Sequence, residues 1–391
     1  LLQRLTDQRR PYMCRFAAAG WRQAAHLRVV RHLTGGVKNT EGSYHVRGAL
    51  EQLGDVEVNE VPQPSFLTSP RTVAVVGAPG QYGQPLAGTD KGPQLLRDAG
   101  LHKNLAALGW RIEEMGDVDM TGPPGGADPA VAGGHAHHSL AVGAGCRKLS
   151  DVVCTKAREG RFVLTLGGDH SVALGSVAGV LRARPSTRVL WVDAHADINT
   201  PAGSPSGNMH GMPLSFLTGI GDPSTVQGLE WLCNRDEGGT PLLQPGRLAF
   251  VGLRDVDVFE RKILRRLIRE HGIFASTMQD VDRLGIGRVM ELALESVGVT
   301  GDGGEGEVPL HLSFDIDSVD PQVAPATGTV VRGGLNYREA LYVAEACAET
   351  GRLGSMDLVE VNVDLADTAA AAETVQLGLV AVASAMGSRI I

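Results

Sequence analysis

Three short stretches of this chain close apolar runs with groups that bind cations. Asp193-Ala194-His195-Ala196-Asp197 follows Val189-Leu190-Trp191-Val192, and Gly167-Gly168-Asp169-His170 follows Phe162-Val163-Leu164-Thr165-Leu166. Asp315-Ile316-Asp317 follows Leu310-His311-Leu312-Ser313-Phe314. Each run reads as a buried parallel strand, short and free of Gly and Pro. Side chains two apart on a strand point the same way, so Asp193, His195 and Asp197 are predicted to aim at one point beyond the strand end. That edge of an open α/β sheet is where ligands bind. His170, Asp193, His195, Asp197, Asp315 and Asp317 are too many for one tetrahedral zinc, and they suit two divalent ions sharing bridging carboxylates. Four Asp bring four negative charges, which two dications balance; without them the carboxylates repel. One such strand end is readily explained as solvated carboxylates. Three in one chain need a common cause.

The bulk properties leave room for such a site. A chain of 391 residues buries a substantial core, and 43% hydrophobic with 20% charged residues is the composition of an ordinary globular enzyme rather than a disordered chain. A net charge of −8 provides no basic field for nucleic acid. The apolar runs fall short of the roughly 18 residues of a membrane span. Cys14, Cys146, Cys154, Cys233 and Cys347 are odd in number and scattered, which fits a reducing compartment better than a disulfide framework.

The elements that must position these groups follow in order. Residues 1–70 read as an N-terminal extension ahead of a single domain over 71–391. From Met13 to Thr40 there is no acidic residue, while Arg15, Arg22, Arg28, Arg31 and Lys38 lie among Ala, Leu and Val. That composition is predicted to be a mitochondrial transit segment, with a cytoplasmic location as the alternative. Glu51 to Pro70 reads as a linker. Thr72 to Val76 is predicted to be the first buried strand. Gly92 to Leu108 reads as a helix, with Pro93 in its first turn and Gly100 able to divide it. Further helices are predicted over Val142–Glu159, to Ala183, and over Ile263–Arg269, Arg288–Val297, Leu341–Thr350 and Ala366–Met386. Further strands fall at Arg247–Leu253 and Met356–Val361. Strand alternating with helix at this spacing implies right-handed βαβ units, an α/β fold with a mainly parallel sheet between helical layers. Gly122–Gly134, Thr200–Gly211 and Thr300–Glu307 read as loops. His135, His137 and His138 lack a Cys or carboxylate companion, and a helix would spread them around its face, so they are left out of the metal site.

The segments Gly167 to Ser171, Trp191 to His210 (WVDAHADINTPAGSPSGNMH), Gly252 to Asp257 (GLRDVD), Ser313 to Thr329 (SFDIDSVDPQVAPATGT) and Leu358 to Asn362 (LVEVN) resemble the arginases of the ureohydrolase superfamily. The resemblance runs from about Thr72 nearly to the end of the chain. It implies the arginase-like three-layer fold, two Mn²⁺ ions and hydrolysis of arginine to ornithine and urea. One ion is then expected on His170, Asp193, Asp197 and Asp315, and the other on His195, Asp193, Asp315 and Asp317, with Asp193 and Asp315 bridging. Spacing alone leaves Mg, Fe, Co or Zn open. Glu360 matches the carboxylate that receives the guanidinium, Thr329 an accessory contact beside it, and His210 the proton shuttle.

Asn199, Ser204, Ser206 and Asn208 stand where arginases bind the α-carboxylate, with Ser204 at a place where Thr is common. Asp257 and Glu260 match the α-ammonium contacts. Unaided, those two acidic residues read more simply as a capped helix start. The SxSGNxH loop separates arginases from agmatinases, whose substrate lacks the carboxylate; an agmatinase or other guanidino-compound hydrolase is the alternative reading. A metallophosphoesterase also uses Asp-x-His, but the order of motifs here is wrong for it. A non-catalytic scaffold would lack a ligand, and all six positions are filled. The resemblance also implies a homo-oligomer, a trimer, with L-arginine as the small-molecule partner and neither nucleic acid nor membrane.

Overall fold

The computed structural model describes residues 61–122, 135–233, 241–299 and 307–389. The chain divides into two units, Leu1–Asn59 and Glu60–Ile391, and all described residues belong to the second. The expected transit segment, the first half of the linker, and nearly all of the two loops expected at 122–134 and 300–307 lie outside the described residues.

Strands β1 (Thr72–Ala78), β2 (Arg111–Asp117), β3 (Phe162–Gly167), β4 (Arg188–Val192), β5 (Leu248–Leu253), β6 (Phe274–Thr277), β7 (Leu310–Asp315) and β8 (Leu353–Val359) form one sheet in the order β2-β1-β3-β8-β7-β4-β5-β6. Every pairing is parallel. Parallel strands need crossover connections, which put helices on both faces and bury both sides of the central strands. Helices α1 (Gly92–Asp98) and α2 (Leu101–Ala107) are the expected single helix divided at Gly100, whose φ of 102° leaves the right-handed helical region. They are followed by α3 (Ser139–Arg158), α4 (Ala173–Ala183), α5 (Pro213–Leu217), α6 (Val258–His271), α7 (Met278–Leu284), α8 (Ile286–Ser296), α9 (Tyr337–Glu349) and α10 (Thr368–Ala385).

Two apolar clusters sandwich the sheet. One gathers Leu190, Val192, Leu310, Leu312, Phe314, Met356 and Leu358 with residues of α1, α2 and α7 to α10. The other gathers Val163, Val189, Trp191 and Phe250 with residues of α3 to α6. Helix α10 is long and apolar enough to cross a membrane by length and composition, which corrects the expectation that no run approaches that length. Half of it is buried, and its Leu377, Leu379, Ala381 and Val382 pack in the core with Val343 and Ala344 of α9. It is the closing helix of this domain.

Strands β2 and β6 were not anticipated. They are the two sheet edges: β2 is exposed or half-exposed throughout its RIEEMGD sequence, and β6 has four residues, so neither presents the apolar run that marks a buried strand. Helix α6 begins at Val258, five residues ahead of the expected Ile263, because Asp257 and Glu260 close a capping box there.

The central strands β3, β8, β7 and β4 are neighbours, and their C-terminal ends carry His170, Glu360, Asp315 with Asp317, and Asp193 to Asp197 respectively. The turn after β3 approaches the loop after β1 closely. Asp169 N–H donates to Gly80 O at 2.9 Å, and a Cβ on Gly168 would lie 1.8 Å from that same oxygen. Backbone cannot swing aside as a side-chain tip can. Gly168→Ala is therefore expected to lower unfolding free energy by about 1–3 kcal/mol, the usual cost of overpacking. Urea denaturation checks this, and an unchanged midpoint would show that the two loops separate freely.

Candidate metal centre

His170 sits one turn beyond β3, fully buried, with its ring stacked on Trp191 at a centroid distance of 4.0 Å. Its Nε2 lies 3.0 Å from Ser313 Oγ of β7, which fixes the ring from behind. Its Nδ1 faces three carboxylate oxygens, Asp193 Oδ2 at 3.0 Å, Asp197 Oδ2 at 3.1 Å and Asp315 Oδ2 at 3.0 Å, without a hydrogen bond to any of them. His195 Nδ1 likewise faces Asp193 Oδ1 at 3.3 Å and Asp317 Oδ2 at 3.1 Å.

Ligand-type atoms of His170, Asp193 and Asp197 lie within 4.8 Å of one another, as do those of Asp193, His195 and Asp317. Asp193 belongs to both groups, as a bridging carboxylate must. Asp315 turns Oδ2 toward His170 while its Oδ1 accepts the Asp317 N–H at 2.7 Å. A buried imidazole nitrogen aimed among carboxylates, with its other nitrogen held by a hydroxyl, is the arrangement of a metal-ligating histidine. The residues fit divalent cations.

Alternation along a strand is not what converges these groups. Strand β4 stops at Val192, and residues 193–197 are irregular. Asp197 has φ +48°, a left-handed conformation uncommon outside Gly, Asn and Asp, and its carboxylate lies against His170. Glu360, just past β8, has φ +63°, and its carboxylate folds back over the β3 turn and accepts the His170 N–H at 2.9 Å.

Electrostatics in the cluster are severe. Burial pushes Asp315 well above the usual carboxylate range, with Asp317 and Asp193 adding repulsion, and burial with Asp193 pushes Asp197 up to about 6. For Asp193 burial acts upward too, but His170 and His195 hold it below the usual range. Burial would lower the His170 pKa, but Asp193, Asp197 and Asp315 hold it well above the ordinary imidazole value. The cluster ionises fully only with added positive charge.

Around this centre the other expected residues take their places. His210 Nδ1 lies 3.1 Å from Glu360 Oε1. Burial lowers the His210 pKa, yet the Glu360 carboxylate, with Asp197 and Asp169, outweighs it and pushes the group up to about 9. Asn199 Nδ2 donates to Asp257 Oδ2 at 2.7 Å, and Glu260 Oε1 accepts the Ile198 N–H at 3.2 Å. Asp257 and Glu260 are thus the helix cap that simpler reading expected, and the same cap ties α6 to the loop after β4. Burial, Asp197 and Asp257 push Glu260 up to about 8. Ser204 and Ser206 face each other at 3.4 Å, accepting the N–H groups of Gly207 and Asn208. Thr329 is half-buried and follows Gly328, at which a Cβ would lie 3.0 Å from Gln84 Oε1.

Gln84 was missed in the sequence. Its Nε2 donates to Glu360 Oε2 at 3.3 Å, and nothing in the irregular stretch after β1 marks it. Ser313 and Trp191 lie inside motifs already quoted, but neither had been given a role. Trp191 Nε1 donates to Asp193 Oδ2 at 3.0 Å.

A parallel α/β sheet with two imidazole–carboxylate groups sharing one Asp at its C-terminal edge defines a class of hydrolytic metal centres. The Arginase family model matches residues 71–387. The chain belongs to the arginase family. It is 44% identical over 336 residues to the arginase of Coccidioides posadasii, covering 83% of this chain and 97% of that protein. It is 39% identical over 345 residues to human "Arginase-2, mitochondrial", covering 88% and 91%. The solved arginase of Bacillus caldovelox matches with a TM-score of 0.70 at 35% identity, over 82% of this chain and 99% of that one. Some relatives are thus named as mitochondrial and others carry no compartment in their names.

A divalent ion held by the folded cluster, which the unfolded chain does not assemble, is expected to add stability, about 2.7 kcal/mol at a hundredfold excess over Kd. Chelation should lower Tm by several degrees, and re-addition of a divalent ion should restore it. Asp193→Asn, which removes a charge shared by both groups, should abolish the response. A Tm unaffected by chelator or metal in the wild-type protein would rule out a metal centre here.

Proposed function

We propose that this protein hydrolyses the guanidinium group of L-arginine to give L-ornithine and urea, using two Mn²⁺ ions. The observation that carries this reading is the sharing of Asp193 between two imidazole–carboxylate groups beside a buried, inward-folded Glu360. One ion is assigned to His170, Asp193, Asp197 and Asp315, and the other to His195, Asp193, Asp315 and Asp317. Bound there, the pair supplies an activated water and Lewis acidity at the guanidinium carbon.

The chain's own residues do the rest. A carboxylate offers about four lone-pair sites, and Glu360 already accepts from His170 N, His210 Nδ1 and Gln84 Nε2. The guanidinium engages Oε2, where the 3.3 Å bond from Gln84 is the longest of the three and the first to yield. Thr329 lies on the adjoining loop as the accessory contact. His210, protonated at neutral pH because its pKa stands near 9, hands a proton to the departing amine. At the amino-acid end, Asn199, Ser204, Ser206 and Asn208 take the α-carboxylate. Asp257 and Glu260 take the α-ammonium, whose positive charge favours the ionised form of Glu260.

Urea release from L-arginine should depend on added Mn²⁺ and be nearly abolished in Asp193→Asn. Agmatine, offered in parallel, should be a poor substrate; a preference for agmatine would replace this reading with the agmatinase one. Full activity after complete metal removal would end both.

His210→Asn should lower kcat by about a hundredfold, at the low end of general acid–base contributions, with little change in KM. The sign of the pH effect follows from the raised pKa: imidazolium is the active acid and is lost as pH rises through about 9. The wild-type kcat should therefore carry a falling limb above that pH, absent from His210→Asn. An identical alkaline limb in both proteins would remove His210 from proton delivery.

A further inference from the structure

Arg254 stands just past β5 and belongs to neither metal group, yet it is bonded to the backbone of both segments that carry the second one. Its own N–H donates to Ala194 O at 2.9 Å, and Ala194 lies between Asp193 and His195. Its guanidinium reaches across to the turn after β7, where Nη2 donates to Asp317 O at 2.5 Å and Nη1 to Ser318 O at 3.0 Å. Nε and Nη2 also donate to Val331 O at 3.1 and 2.9 Å, with longer bonds of 3.4 Å to Gly252 O and Val319 O. The circuit closes through a metal-type side chain: Ala194 N–H donates to Asp317 Oδ1 at 3.3 Å.

Among the described residues, all the acceptors of this guanidinium are backbone carbonyls. A planar fork of N–H groups in fixed directions matches such a set, whereas a lysine ammonium offers its donors at a single point. The fold leaves room for the fork, since a Cβ on Gly334 would lie 2.8 Å from Nη2. Asp317 is fixed on both sides, its N–H donating to Asp315 Oδ1 and its O held by Arg254. Its remaining oxygen, Oδ2, then faces His195 Nδ1 at 3.1 Å.

The two metal groups are not served equally. Asp193 belongs to both, but His195 and Asp317 belong to the second alone, and Arg254 joins the segments that bear them. His170 and Asp197, peculiar to the first group, are held elsewhere. Ser313 Oγ lies 3.0 Å from His170 Nε2, and the Leu214 N–H donates to Asp197 O at 3.0 Å.

We propose that Arg254 is the positioning residue of the second metal group. Its fork holds the Asp317 turn against the segment of His195 at the separation a divalent ion needs, and the first group depends on other contacts. The proposal rests on the proposed pair of ions.

The test is Mn²⁺ binding by equilibrium dialysis to the full chain stripped of metal, with no substrate present. Wild type, Arg254→Lys, Asp317→Asn and the double variant are compared. Wild type should bind two ions. Arg254→Lys keeps the charge and loses the fork. It should bind one ion within about threefold of the wild-type affinity and the other about tenfold or more weakly, the usual loss when a group behind a ligand is replaced. Asp317→Asn should weaken the same ion, and the double variant should match Asp317→Asn within about threefold, because both changes act on one site. Two ions at wild-type affinity in Arg254→Lys overturn the proposal, and so do losses that multiply in the double variant. An equal loss for both ions overturns it too, as does an Arg254→Lys chain that no longer folds, since either makes the arginine a brace for the whole domain. Those outcomes leave the wild-type centre standing. A wild-type chain that binds fewer than two ions would overturn the two-ion reading, and this proposal with it.

Discussion

Asp193, Asp197, Asp315 and Asp317 bring four carboxylates into a space where each stands about 3 Å from an imidazole nitrogen of His170 or His195. At about 4 Å and an effective dielectric of about 20, each like-charged pair costs about 4 kcal/mol. Two imidazoles relieve part of this by holding protons, which is why His170 and His195 are driven well above the ordinary imidazole range. That relief is incomplete, because Asp315 and Asp197 are still pushed upward. Divalent cations would remove the conflict that protons only soften. The rest of the fold holds this unfavourable set together.

Holding it requires backbone that ordinary strands do not provide. The sheet supplies rigid ends on four adjacent strands, but apart from Asp315, the last residue of β7, the groups stand on the turns that follow the strands. Asp197 and Glu360 adopt left-handed backbone, a conformation that costs of order 1–3 kcal/mol for such residues and persists only where surroundings over-determine it. Here they do. Glu360 N–H donates to Gly168 O and its carboxylate accepts the His170 N–H, so β8 and the β3 turn lock each other. Gly168 in turn lies against Gly80, and the His210 N–H donates to Gly83 O. The strain at Glu360 is carried by contacts among four separate segments.

How much of this could be read from the chain depended on whether a residue's neighbours are sequential or spatial. The six metal-type groups were legible because each follows an apolar run, and the run marks the strand. The edge strands β2 and β6 were not, since solvent on one side removes the apolar pattern. The positive φ at Asp197 and Glu360 has no signature in residue type, so strand alternation was credited with a convergence that backbone reversal achieves. β7 had been read simply as an apolar run, yet it has two faces. Leu310, Leu312 and Phe314 meet one core, while Ser313 supports His170, and His311 meets Ser355 and Asp357 in a buried polar row. Gln84 was illegible for the plainest reason: its partner is 276 residues away.

The capping box at α6 shows why weighing a structural role against a functional one can pose a false choice. Asp257 Oδ1 accepts two N–H groups of the helix start, while its Oδ2 is turned to Asn199 in the loop after β4. Glu260 closes the box through Oε2 and reaches the Ile198 N–H through Oε1. Each carboxylate spends one oxygen on the helix and the other on the segment that carries the metal-type and hydroxyl groups. A cap built this way makes the distance from β5 to the β4 loop a property of two side chains rather than of loop length. The spacing of these carboxylate oxygens is therefore set during folding, and ordering them is not left to a later binding event.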